Sequence, residues 1–555
     1  MSDRVYDTLI EDGLVVDGTG NPAYRAHVGI RAGRIQIVRG DSADCVADSR
    51  IDARGKVVAP GFIDIHSHSD VVLLDNPLLE AKVRQGVTTE IVGVDGLSYA
   101  PFLRPSDLAA FAEQNGGIAG LPSSPLTWRS IGEQLEAYDG ATAVNVGCFV
   151  GNAALRVNAL GWGDDPADGA ALANMRAMLR EAMYDGAFGL STGLDYPPGS
   201  HATTEEIVAL AAQSAALGGI YHTHVRYGLG DTYLDPFREA LEIAERAGSA
   251  LQVTHFSRSS RATHPGGAQR MLDLLADARE DGIDVTFDTY TYEWGGTRLS
   301  RLLPMWTQVG GPAALRGRLT DPTVRARIER EITEGAAARQ YVASAPFSDL
   351  RVGNLSAEPH VQFEGRFLSE IVVSIDKPLG QVVCELVLQN PAATFTRPSP
   401  HAMTLWKFVC HPLGMIASDS VFIGSGPSPR AYGCFSRVLA EFVREEQLLS
   451  LPEAVRKMTS MPAQRLGLPD RGLLIDGQVA DVVVFDLADM AAPASFERPT
   501  ELAVGMEHVL VGGVSVLRNG VMTGATPGRG LRSGAYALST PFVAPVPAQA
   551  ASPGR

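Results

Sequence analysis

Apolar and polar positions alternate along this chain with two different periods. Within residues 5–58 the alternation is residue by residue, over Tyr6–Val16, Ala26–Arg31, Arg34–Val38 and Lys56–Val58, with Asp-Gly and Ala-Gly turns between the runs. That pattern predicts short strands. Residues 478–525 repeat it over Ala480–Asp486, His508–Val511 and Val514–Arg518, where Asn519-Gly520 marks a hairpin turn. Neither piece can hold a good core alone, so the two together predict one small β-sandwich made from both chain ends.

Between them, short apolar runs alternate with helical periods, the mark of a parallel sheet in an α/β fold. Eight strands are predicted: Gly61–His66, Thr89–Val94, Ala143–Val150, Gly186–Ser191, Gly219–His224, Ala250–His255, Asp284–Asp288 and Leu413–Ser418. Eight strand–helix units imply a closed (β/α)8 TIM barrel. Thr203-x-x-Glu206 and Ser450-x-x-Glu453 read as capping boxes opening helices. The stretch from about 293 to 411, between strands seven and eight, is too long for a loop and predicts an inserted subdomain. The expected division is 1–58 and 466–540 for the two sandwich halves and 59–465 for the barrel. The Pro/Ala-rich end, 541–555, is expected to be disordered.

A length of 555 residues suits one large domain and a smaller one, and 45% apolar with 20% charged residues is ordinary globular composition. The net charge of −16, from 47 basic and 63 acidic residues, weighs against nucleic-acid and anionic-membrane partners. Five cysteines without CxxC spacing argue against a disulfide scaffold and a cysteine-cluster zinc site. The first residues lack the apolar core of a signal peptide, and no apolar run approaches the ~20 residues that span a bilayer. The expectation is a soluble, cytoplasmic protein, with room for a homo-oligomer.

Metal-binding residue types gather at the predicted C-terminal strand ends, where a barrel builds its site. Strand one ends Asp64-Ile65-His66-Ser67-His68, and the i, i+2 spacing points both imidazoles to one face. Strand five ends with His224, strand six with His255 and strand eight with Asp419. Of twelve histidines, four sit at three strand ends. Neutral imidazoles converging with a carboxylate suit a zinc-like divalent ion. His222 is expected to point outward and to be structural.

This set on a barrel resembles the amidohydrolase superfamily. Gly86-Val87-Thr88-Thr89, Gly186 to Leu194, Thr223-His224-x-Arg226, Asp288-x-Tyr290-x-Tyr292 and Pro429-Arg430-x-Tyr432-Gly433 narrow the resemblance to the N-acyl-D-amino-acid deacylases, or D-aminoacylases. The resemblance runs from about residue 5 to 530. It implies metal-dependent hydrolysis of a C–N bond in a small-molecule amide. His224 and His255 would hold a tight zinc, and His66, His68 and Asp419 a second, weaker divalent metal. Asp419 would take a proton from the attacking water and return it to the leaving amine.

The chain also departs from that family. The family's Asn-Cys-Gly after strand two is Val94-Asp95-Gly96, so a carboxylate stands where a thiolate binds the tight zinc. Asp95 can ligate or bridge the metals, weakening zinc and admitting Mn²⁺ or Co²⁺; the alternative is that it only caps the turn. The family grips the substrate carboxylate with a lysine, a serine, a tyrosine and an arginine. Here the lysine is Ser257 and the serine is Gly296, while Tyr290 and Arg430 remain. Arg298 or Arg226 could compensate, or form structural ion pairs. The family's histidine after strand three is Asn152. Trp294 could stack on a bulky substrate or pack the insertion; Met305 and Trp306 are expected to pack it. A cyclic amide, imide or ureide is the competing substrate class. Strand four, ending Leu190-Ser191-Thr192, lacks the carbamylated lysine of many cyclic-amide hydrolases. The third alternative is a non-catalytic metal-binding barrel.

Overall fold

In the computed structural model, which describes residues 5–258, 264–334, 347–398, 404–534 and 536, parallel strands follow one another around a ring. The eight barrel strands are Phe62–Asp64, Val87–Val92, a third strand made of Asn145–Cys148 and Val150–Gly151, Gly189–Gly193, Ile220–His224, Leu251–Val253, Val285–Thr289 and Gly414–Ile416. Strands one to three form one hydrogen-bonded sheet, and the end of strand three through strand eight forms another. Strand three itself joins the two, since Phe149 N donates to Val92 O and Phe188 N to Cys148 O. The ring closes between strands one and eight: Ser67 bridges Ser420 in parallel, and Asp419 N donates to His66 O at 2.9 Å.

Ile63, Ile91, Phe149, Ile220 and Met415 come from strands one, two, three, five and eight, yet they form one buried cluster with Phe188. Side chains from strands so far apart in the ring meet only inside it, so these residues fill the barrel. Helices pack outside, several opened by side-chain caps: Thr203 accepts from Glu206 N and Ser450 from Glu453 N.

Strands from both chain ends form a nine-stranded hydrogen-bonded network. Val482–Phe485 runs antiparallel to Val57–Pro60 and stitches the ends together. Ile10, Val28, Ile51, Val58, Val482 and Leu510 share one apolar core, which neither end could enclose alone. Between barrel strands seven and eight, Trp294–Arg298, Arg351–Gly353 and Thr394–Pro398 form a small antiparallel sheet. It packs with helices Gly311–Thr320, Pro322–Glu334, Leu368–Ile375 and Leu379–Gln389 around a separate core that includes Leu319, Ile328, Ile371, Val383 and Phe395. Among the described residues, no helix is long and apolar enough to cross a membrane. The segment 541–555, expected to be disordered, lies outside the described residues.

Candidate metal centre

Six side chains meet at the C-terminal ends of the barrel strands. Three of them sit on left-handed backbone: Asp95 at φ 51°, His255 at φ 32° and Asp419 at φ 47°. Non-glycine residues in this region are strained, and such strain persists where the surrounding structure holds it in place. The Asp95 turn shows how. Ser191 Oγ donates to Gly93 O at 2.5 Å and accepts from Gly96 N at 3.1 Å, so strand four clamps both sides of the turn. Gly193 is required beside it, because a Cβ there would lie 1.9 Å from Asp95 O.

The clamped turn aims the Asp95 carboxylate at four imidazoles. Its Oδ1 lies 3.6 Å from His66 Nε2; its Oδ2 lies 3.4 Å from His224 Nδ1, 3.6 Å from His68 Nε2 and 3.7 Å from His255 Nε2. Asp419 Oδ1 lies 3.5 Å from His66 Nε2 and 3.3 Å from His68 Nε2. Two groups thus share Asp95, one with His66, His68 and Asp419, the other with His224 and His255. Two ligands bonded at about 2.0–2.1 Å to one tetrahedral ion stand about 3.3 Å apart, so these spacings fit shared ions better than direct hydrogen bonds. His66 makes the same point: both ring nitrogens are buried, and among the described residues neither has a hydrogen-bond partner. The donor set is the nitrogen and oxygen set that zinc and its neighbours accept.

Without an ion the cluster pairs charges. Burial would lower His66, but Asp95 and Asp419 hold it well above the ordinary imidazole value. Burial would raise Asp95, but His66 and His224 hold it well below the usual carboxylate range. Asp419 is likewise lowered against burial, first by Arg430 and then by His66. Perturbed groups concentrated in this way mark a functional site. A further buried charge network lies between helix Glu80–Val83 and strands one, two and eight. There Lys82 binds Asp64 at 2.5 Å, Ser418 Oγ at 2.9 Å, and Glu90. Asp64 in turn accepts from Ser418 N at 3.0 Å, beside Asp419.

The model of the Amidohydrolase family matches residues 50–321 and 415–517. The chain belongs to the amidohydrolase family. An N-acyl-D-glutamate deacylase of Alcaligenes xylosoxydans xylosoxydans is 34% identical over 543 residues, 96% of this chain and 98% of that one. A D-aminoacylase of the same organism is 33% identical over 529 residues, 94% of this chain and 97% of that one. A solved N-acyl-D-glutamate deacylase from Bordetella bronchiseptica, complexed with zinc and a phosphonate inhibitor, superposes with TM-score 0.80 at 31% identity, covering 95% of this chain and all of that one. An L-hydantoinase from Arthrobacter aurescens, at 16% identity and TM-score 0.54 over 95% of this chain and all of that one, shares the fold alone.

In this amidohydrolase the residues expected to face substrate take different places. Arg430 opens helix Arg430–Arg437; its Nη1 lies 2.9 Å from Asp419 Oδ2, and its guanidinium stands 4.7 Å from the Tyr290 ring centroid. Ser257 is buried, its hydroxyl 2.9 Å from that of Thr289. Gly296 pairs with Thr396 in the insertion's sheet, and a Cβ there would stand 3.1 Å from Phe395 O, a tight contact. Arg226 binds Glu239 at 3.3 Å and the carbonyls of Ser200 and Ala202. Arg298 donates to Asn115 Oδ1 at 2.6 Å and to Gln114 O. Both arginines are thereby tied to the scaffold. Trp294 stacks on Phe496 with centroids 3.8 Å apart, and Trp306 donates to Glu331 inside the insertion. Asn152 donates to Gly199 O and secures the loop after strand four.

His222 does not point outward. Residues two apart on a strand share a face, so His222 lies on the same side as His224. It is fully buried, stacks on Phe149 at 4.8 Å, and its ring centroid is 5.4 Å from that of His66. Burial pushes its imidazole down to about 3, so it is neutral. Two carboxylates escaped the sequence reading. Asp288 accepts from His255 N at 2.8 Å and lies 3.5 Å from His66 Nδ1. Asp195 lies 3.4 Å from His224 Nε2 and 3.0 Å from Arg301. The strand-seven motif Asp288-x-Tyr290 held a signal for the first: Asp288 is the last acid before a strand end that faces the imidazoles.

Proposed function

We propose that this amidohydrolase hydrolyses the C–N bond of N-acylated, D-amino-acid-like amides, with zinc as its resident ion. The observation that carries this reading is the convergence of Asp95, His66, His68, His224, His255 and Asp419 at one end of the barrel, spaced as ligands of shared ions. His224, His255 and Asp95 would hold the tight ion, with His66, His68 and Asp419 a second and Asp95 bridging. A divalent ion bound there acidifies water toward neutral pH and polarises an acyl carbonyl. Asp419 accepts the proton of the attacking water and delivers it to the amide nitrogen, which leaves poorly until protonated. Arg430 and Tyr290 hold the anionic group of the substrate, Arg430 through the planar fork that matches a carboxylate. The name of the similar N-acyl-D-glutamate deacylases supports a substrate rich in carboxylate.

The test is a screen of N-acyl-D- and N-acyl-L-amino acids, amino-acid amides and cyclic ureides with protein loaded with zinc, manganese or cobalt. Amine release from an N-acyl-D-amino acid is the expected result. Ring opening without linear hydrolysis would replace the reading with the cyclic-amide one, and metal uptake with no turnover would favour a binding barrel.

A further inference from the structure

We propose that Asp195 is a positioning residue for the metal ligand His224, and that Arg301 holds it in place from the inserted subdomain. The inference deepens the metal reading above and rests on it. The sheet register makes the approach. Gly193 pairs with His224, and Leu194 N donates to His224 O at 3.0 Å, so the next residue, Asp195, emerges beside the imidazole. Nδ1 of that ring faces the cluster, 3.4 Å from Asp95 Oδ2 and 3.0 Å from His255 Nε2. Nε2 faces the other way, 3.4 Å from Asp195 Oδ2.

A carboxylate can only accept, so Nε2 carries the proton and Nδ1 keeps its lone pair for an ion. Such outer partners set both the tautomer and the angle of a metal-binding histidine, and their loss costs about 10–100-fold in metal affinity. Asp195 is 9% exposed, and Arg301 Nη2 lies 3.0 Å from the same Oδ2 that faces the imidazole. Arg301 belongs to the turn Leu299–Leu302, whose neighbour Arg298 is anchored to Gln114 and Asn115. The insertion is therefore linked to the tight ion position through Arg301, Asp195 and His224.

The experiment measures zinc affinity by competition with a chromogenic chelator, and the visible spectrum of the cobalt-loaded protein, for wild type, Asp195→Ala, Asp195→Asn and Arg301→Gln. Asp195→Ala should lose about 10–100-fold in affinity and shift the cobalt bands. Asp195→Asn, whose Oδ1 still accepts from Nε2, should recover most of the loss, and Arg301→Gln should fall between. A residue that merely packs the loop would lower the melting temperature of the chelator-treated protein but leave affinity and spectrum unchanged; that result overturns the inference. If Asp195→Ala does not fold, an unchanged affinity in Arg301→Gln overturns the link to the insertion and a loss supports it. The wild-type arm is separate: no zinc retained there would sink the metal reading itself.

Discussion

Arg430 holds Asp419. Its Nη1 lies 2.9 Å from Asp419 Oδ2 while the guanidinium rests over Tyr290. The arginine that would meet a substrate anion is thus also the strongest attractive influence keeping Asp419 ionised against the pull of burial. Two effects should separate on mutation. Arg430→Ala and Arg430→Lys should raise KM for anionic substrates, by about ten-fold per 1.4 kcal/mol of lost pairing, and leave neutral analogues little changed. Arg430→Ala should also move the acid limb of the kcat–pH profile upward for every substrate, since the shuttle carboxylate loses its cation. Equal KM effects on charged and neutral substrates would confine Arg430 to the second role.

Asp95 stands where the two ligand groups overlap, with one oxygen toward His66 and the other toward His68, His224 and His255. Asp95→Ala should lower zinc content measured by atomic spectrometry and turnover with it, while Asp95→Cys should retain or tighten the ion through thiolate. Full metal occupancy in Asp95→Ala would leave Asp95 a turn residue only.

The strands were legible in the sequence because a buried parallel strand is a short apolar run, and four of the eight, strands one, five, six and eight, lead into metal-binding residue types. That His66, His68, His224, His255 and Asp419 gather in one place was legible from their positions at those strand ends and from the i, i+2 spacing of the first pair. What escaped depends on distances along the chain that no local pattern encodes. Arg298 is bound to Asn115 and Arg226 to Glu239, partners set by how the insertion and the strand-five loop fold back. Asp195 lies past the end of strand four, and only the pairing of Gly193 with His224 brings it to the ring. His222 was misplaced for a simpler reason, since the two-residue period already assigned it to the face of His224.

Lys82 is fully buried between Asp64 and Glu90. Removing one member of a buried charge group strands the others, at about 3–5 kcal/mol. Lys82→Met should therefore lower the melting temperature sharply in chelator-treated protein, and Lys82→Met combined with Asp64→Asn and Glu90→Gln should recover part of the loss. A triple variant no more stable than Lys82→Met would show that the network orders strands one, two and eight by more than charge balance.

The stabilisation that a metal confers should grow as pH rises, while the metal-free protein weakens. Without metal, burial alone would lower His66, His68 and His224; Asp95 and Asp419 raise His66 and His68, and Asp95 and Asp195 raise His224. A histidine raised in the folded state contributes stability that is complete below its unfolded value of about 6.5 and is lost as pH rises through the folded value. Asp95 and Asp419 are lowered against burial, so their contribution is present above about 4 and is lost only as pH falls through the lowered values. The metal-free protein should therefore be most stable between about pH 4 and 6.5 and weaken above that window. An ion needs neutral imidazoles and competes with protons for them, so its binding strengthens as pH rises. Melting temperatures with chelator and with saturating zinc, taken from about pH 5 to about 8, should show the gap between the two forms widening with pH. A gap that stays constant or narrows would mean that these imidazoles do not take up the ion, and the carboxylate pairs would then be the whole of the cluster's role.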